Sequence, residues 1–326
     1  MWRYLMIFLF FFLFSFPKLH SQNQMDEVLD KLPAEQQTKP TIIPIKSTIP
    51  CKLFQNITSS FVGISDAGLD STTAYNQAYT RALSMISLQN AFGRGMSDFY
   101  NDTNKDQISS NYEELCEINA TNNLAVEAIK IYDSFWLDSG EFILFLNLDS
   151  SKVNPNQRIK NKNLVSIYYK ENEQDGNKNI YNKISIENEM LRADNSSNHS
   201  ESLTYILGNK RWLSNETNFD NKKIETDHYK IFYNTEKDCI GDSTEFKSES
   251  TSSVDGLWYA LLNDMYSKLS AQLKEHYLKV KEVGDKYRDK TMTLYRESGY
   301  FRFCCRLQSI QLIDNRLITT INTEFF

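Results

Sequence analysis

The sequence predicts an α+β protein: an antiparallel sheet packed by a long helix in an N-terminal domain, then a second α+β unit with its own long helix and a C-terminal hairpin. Three observations carry this. Ala74, Ala78, Ala82 and Ile86 recur every four residues, a helical stripe. A second stripe, Leu262, Tyr266, Leu269, Leu273, Tyr277 and Val280, steps by three or four. Between them, short apolar runs such as Phe61-Val62-Gly63-Ile64 and Phe142-Ile143-Leu144-Phe145-Leu146 are bounded by turn residues and suit buried strands. Over 326 residues the composition is 40% hydrophobic and 24% charged with a formal charge of −6. These proportions exclude collagen, wholesale disorder and a multi-span membrane protein. They also offer no basic surface for nucleic acid.

The chain begins with Arg3 and an apolar run from Leu5 to Phe16, followed by Pro17-Lys18-Leu19-His20-Ser21-Gln22. That order reads as a secretory signal peptide over residues 1–21, cleaved after Ser21 or Gln22. The run falls short of the ~18 apolar residues that a membrane span needs. Loss of Arg3 and Lys18 takes the charge from −6 to −8. Residues 22–51 hold Pro33, Pro40, Pro44 and Pro50 and read as an extended linker.

Residues 52–149 form the first predicted domain. After the strand Phe61–Ile64 comes a Ser65-Asp66-Ala67-Gly68-Leu69-Asp70 turn, in which Asp70 or Ser71 can cap a helix expected over 72–99, weakened at Gly93-Arg94-Gly95. Residues 111–118, 125–136 and 142–148 follow as strands, with Asp138-Ser139-Gly140 as the hairpin turn between the last two. The second domain covers 150–326. Its first hundred residues are rich in Asn, Lys and Ser, with strands expected at 164–169, 180–186, 203–207 and 228–233. A long helix is expected over 254–295, interrupted near Gly284 or projecting beyond the sheet. The hairpin 300–313 and 316–325 closes the chain.

The strand with Gly63, the turn after it, and a helix carrying Ala74, Ala78, Arg81 and Ala82 resemble the LPP-twenty family of bacterial envelope lipoproteins. The same βα unit recurs in a flagellar outer-membrane-associated assembly protein. The resemblance covers about residues 52–149. It implies a small α+β domain of the Gram-negative envelope with no catalytic residue to carry over. The chain departs from the family in lacking a lipid-acceptor cysteine, its first cysteine being Cys51, and Ser65 stands at the place of a second glycine.

The cysteines are Cys51, Cys116, Cys239, Cys304 and Cys305, an odd number in a chain expected to be exported. On a strand, Phe301, Phe303, Cys305 and Leu307 share an apolar face and Arg302, Cys304 and Arg306 a polar one. Cys304 then lies between two cations that favour a thiolate, unless it is bonded to Cys239. Asp66 and Asp70 are expected to serve the helix cap, and His228 and His276 to be solvated. No metal-ligand spacing, P-loop or dinucleotide glycine pattern occurs, so no metal or cofactor is expected. The function expected is a non-enzymatic, exported envelope protein of binding or assembly type. Its partners would be other envelope proteins, with peripheral membrane association left open. The alternatives are a hydrolase or thiol enzyme using Cys304, and a surface glycan binder using Trp136, Trp212 or Trp258.

Overall fold

The computed structural model describes residues 43–55, 57, 60–104, 107–149, 158–174, 177–192, 198–206, 211–219, 222–223, 229–236, 246–247, 256–279, 286–288, 292–313 and 316–326. Residues 1–42 and Cys239, and with them the signal peptide and its cleavage point, lie outside these. The fold is α+β with β dominant. In chain order the elements are β1 (Ile43–Ile49), α1 (Lys52–Gln55), β2 (Phe61–Ile64), α2 (Ser71–Ser87), β3 (Ala91–Asn104), β4 (Gln107–Ala125), β5 (Ile129–Trp136), β6 (Phe142–Leu148), β7 (Arg158–Gln174), β8 (Asn177–Arg192), β9 (Asn198–Ile206), β10 (Arg211–Phe219), β11 (Lys222–Lys223), β12 (Tyr229–Thr235), β13 (Phe246–Lys247), α3 (Leu257–Lys279), β14 (Lys286–Arg288), β15 (Met292–Ile313) and β16 (Arg316–Phe325).

A ten-stranded sheet runs in the order β11-β10-β9-β8-β7-β4-β3-β15-β14, with β16 on β15. Its pairings are antiparallel. A small sheet, β2-β6-β5, is also antiparallel, and β1 pairs in parallel with β12 in a third. The division expected at residue 149 is crossed by the large sheet: β4 pairs with β7 from Ser109↔Gln174 to Ala125↔Arg158, and β3 with β15. Ile42–Phe326 is one compact unit. Strands of 14 to 22 residues such as β3, β4, β7, β8 and β15 cannot be satisfied within either half, because their backbone groups need partners along the whole length.

Helix α2 begins where the turn predicts. Asp70 caps it, accepting from Thr72 N at 3.0 Å and Thr73 N at 3.1 Å, and these bonds with the Thr73 hydroxyl hold its carboxyl below the usual range. It ends at Ser87 rather than near 99. Residues 91–97 alternate buried and exposed as a strand, and Gly93 explains the change, since a Cβ there would stand 1.8 Å from the Phe301 ring. The sheet neighbour overrides local pattern. Helix α3 likewise ends, among the described residues, at Lys279, and 286–288 and 292–313 are strands. The helix expected over 254–295 is therefore shorter, and Tyr287 lies on a strand. The expected linker also loses its end: Ile45, Ser47 and Ile49 are the inward positions of β1, an edge strand that tolerates Pro44.

Both helices lie between sheets. Ala74, Ala78 and Ala82 are wholly buried, and at Gly63 of β2 a Cβ would stand 1.9 Å from the Ala78 carbonyl oxygen, so the stripe sets a close helix-to-strand contact. The opposite side of α2 meets β7, β8 and β9 through polar bonds: Asn188 Nδ2 donates to Thr80 O, and Ser87 Oγ lies 2.5 Å from Asn161 Oδ1. Leu257, Leu261, Leu262, Met265, Leu269 and Leu273 make the buried face of α3. Between β5 and β6 the predicted turn is present, with Gly140 at φ +82°, a conformation that glycine adopts without penalty.

Candidate functional site

The residues singled out on β2 and α2 converge on a buried ionic cluster. Arg81 leaves the alanine stripe and donates from Nη1 to Ile64 O at 2.6 Å, with Asp66 Oδ1 at 2.8 Å. Its Nε reaches both Glu201 oxygens at 3.1 and 3.2 Å, while Nη2 donates to Glu201 Oε1 and to the Tyr259 hydroxyl. Tyr259 in turn donates to Asp66 Oδ1 at 2.8 Å, and Gln77 Nε2 to Asp66 Oδ2 at 3.0 Å. Asp66 is thus a partner in an ion pair, not a helix cap. Trp258 lies buried with its ring 5.4 Å from the guanidinium carbon.

Burial opposes the Arg81 charge, but Asp66 and Glu201 outweigh it and hold the guanidinium protonated well above its ordinary range. Glu201 is pushed up by burial more than Arg81 pulls it down. One cation thus serves two carboxylates. The Arg81, Asp66 and Glu201 side chains are 0, 2 and 3% exposed, which suits a latch joining the β2 turn, α2, β9 and α3. A second enclosed carboxylate, Glu141, accepts from the Tyr233 hydroxyl, the Ser139 hydroxyl and the Leu257 N–H at the start of α3. Burial raises its carboxyl to about 7 against those three donors. Sequence reasoning found Arg81 and missed its partners. An arginine three residues after Ala78 and one before Ala82 was itself the signal of a buried charge, whereas Glu201 sits 120 residues away with no local mark.

Cys304 takes no part in the cluster. It lies on the outward face of β15, half-buried, while Cys305 is buried as alternation requires. The expected thiolate is not favoured: burial raises the Cys304 thiol, its cross-strand neighbour Glu324 raises it further, and Arg306 only partly offsets them. Arg302 is engaged elsewhere, over the Phe92 ring at 5.1 Å. Cys304 is free, as are Cys116 and Cys305, and Cys51 is disulfide-bonded. His276 is not simply solvated but stacks on Phe325 at 3.9 Å. Of the three tryptophans considered for glycan binding, Trp258 is in the core, Trp136 is half exposed on β5, and the side chain of Trp212 lies outside the described residues.

The outward face of the large sheet carries a groove. One hollow of about 460 Å³ crosses β15, β3, β4, β7 and β8. A second of about 240 Å³ adjoins it over β7, β8 and β9, sharing Leu164 and Glu187. Strand register explains the lining, because Tyr300, Arg94, Glu117, Ser166 and Ser185 are successive cross-strand neighbours and so form one row across the sheet. The next row is Arg302, Phe92, Asn119, Leu164 and Glu187. Tyr300 is 63% and Phe92 54% exposed. Each ring faces an arginine, Tyr300 with Arg94 at 5.5 Å and Phe92 with Arg302. Arg94 also stands 3.8 Å from Glu117.

No helix among the described residues is long and apolar enough to cross a membrane. No protein-family model, curated protein or solved structure matches the chain.

Proposed function

We propose that the chain is an exported cell-envelope protein of binding or assembly type, whose working surface is the outward groove of the large sheet. The observation that carries this reading is the pair of exposed rings, Tyr300 and Phe92, in a hollow of ligand size. Large exposed aromatics gathered in one concavity cost solubility, and a monomer keeps them where something is to be covered. The signal-like N-terminus, the disulfide at Cys51 and the LPP-twenty-like βα unit at Gly63, Ala74, Ala78, Arg81 and Ala82 support the location. The shifted carboxyls of Glu141 and Glu201 lie in the interior, where they hold elements together, which supports a non-enzymatic role.

A photo-crosslinking residue placed at position 300 tests this in intact envelopes, with the same residue at the exposed Ser134 of β5 as control. A discrete adduct at 300 and none at 134 is expected. Equal, diffuse labelling at both positions counts against the groove.

A further inference from the structure

We infer that the groove binds a neutral, linear oligosaccharide laid across the strands. This deepens the proposed function and rests on its assignment of the working surface. From β3 to β9 the groove floor is the face of a paired sheet, each strand bonded on both sides, while β15 pairs with β3 on one side and, between Tyr295 and Phe303, has no strand partner on the other among the described residues. Over those five strands, β3 to β9, the backbone donors and acceptors are spent, so a ligand lying there is recognised by side chains. An extended peptide would carry its own N–H and C=O groups onto a surface with no backbone partner, and leaving such groups dry is costly.

The side chains offered are of another kind. Ser166, Ser185 and Asn119, with Ser200 and Ser202 in the adjoining hollow, present hydroxyl and amide groups, and Glu117 and Glu187 present acceptors. Tyr300 and Phe92 add two apolar platforms at one end. A chain with hydroxyls along its edges and C–H groups on its faces matches a surface with rings at one end and hydrogen-bonding side chains along the rest. Charge narrows the class. Arg94, Lys162 and, over the Phe92 ring, Arg302 stand against Glu117, Glu187 and Glu189, so the two signs balance and the surface favours a neutral ligand over a polyanion or a polycation. Six strands, β15 to β9, at a spacing of about 4.8 Å give a floor roughly 24 Å long. A chain of several sugars, rather than a monosaccharide, fills it.

Titration calorimetry of the full chain with cellohexaose, chitohexaose and maltohexaose tests the inference, with a lysine-rich decapeptide as the rival ligand. Binding of at least one hexasaccharide is expected, stronger than that of its disaccharide, and Tyr300→Ala or Phe92→Ala should weaken it by roughly tenfold or more, a loss of ~1.4 kcal/mol. Both rings are exposed, so these variants should fold, and an unchanged thermal melt verifies it. Failure of all three hexasaccharides, or binding indifferent to both substitutions, overturns the inference, as does binding of the decapeptide alone. The two levels separate cleanly. A protein adduct at position 300 without hexasaccharide binding leaves the working surface standing and removes the glycan, while no adduct and no binding remove both.

Discussion

The two faces of the large sheet handle charge in opposite ways. On the inner face Glu201 and Asn188 project from neighbouring strands into α2, and each meets a fixed partner, Arg81 or the Thr80 carbonyl. On the outer face Arg94 and Glu117 are 45 and 50% exposed and only 3.8 Å apart at best, a pairing that water screens to little value. The same strands supply both sets. The enclosed set therefore specifies how the layers dock, and the open set is the one that the proposed groove would offer to a ligand. Strongly shifted titration marks function in many proteins, but here it marks the latch, because the shift follows from burial.

The largest test of this contrast is removal of the latch cation. Arg81→Met leaves Asp66 and Glu201 facing each other without a counter-charge, and breaking such a buried pair costs about 3–5 kcal/mol. Denaturant unfolding should register a loss of that order. The matching change outside, Arg94→Met, should stay within ~0.5 kcal/mol. Equal costs would erase the distinction between the faces.

Glu141 gives a pH-dependent test nearly as large. Its folded carboxyl is raised from 4.5 to about 7, so between these values the folded state holds a proton that the unfolded state has released. Stability from this group is therefore full below about pH 4.5 and falls as pH rises through 7, by roughly 3 kcal/mol at ~1.4 kcal/mol per pH unit. Glu141→Gln should flatten that decline while keeping an acceptor for Leu257 N–H. A wild-type profile that rises or stays level over this window, with no difference in the variant, would place Glu141 in a wetter site.

The α2 contact comes next. Ala78→Leu adds volume where the helix already touches Gly63, and overpacking of this kind costs about 1–3 kcal/mol. An unchanged melting temperature would mean that β2 and α2 part more easily than their contact suggests.

How much of this was legible follows the same division of faces. The β2 strand, the Asp70 cap, the β5–β6 turn, β6 and the final hairpin were plain because apolar and polar positions alternate there or stop at a turn. Strands β7 and β8 were under-read, at 164–169 and 180–186, because their inner positions are themselves polar. Asn161, Asn163 and Asn188 are buried, bonded to Ser87, Tyr266 and Thr80, and they break the period-two hydrophobic signal. The latch was half legible for the same reason: Arg81 stood out against alanines, whereas Glu201 lay among serines. The groove was not legible at all, since Phe92, Arg94 and Tyr300 were assigned to other contexts, the first two to a helix that ends before them. Only cross-strand register places them in adjoining rows.

The smallest effect concerns Cys304, and it sharpens the comparison because this thiol sits on the outer face yet shares the inner rule that burial sets titration. Desolvation and Glu324 keep its thiol above the ordinary range. The thiolate is the reactive form, so Cys304 should alkylate more slowly than a model thiol at neutral pH, and the buried Cys305 more slowly still. Glu324→Gln removes the acidic neighbour and should speed labelling of Cys304 without exposing Cys305. Cys304→Ser should leave stability within ~0.5 kcal/mol and leave hexasaccharide binding unchanged, because the residue lines neither hollow. Mass spectrometry of alkylation against time reads both sites at once. Labelling of Cys304 faster than the model thiol, slowed by no change at Glu324, would show that the flanking Arg302 and Arg306 govern it after all and would return a reactive thiol to the open face.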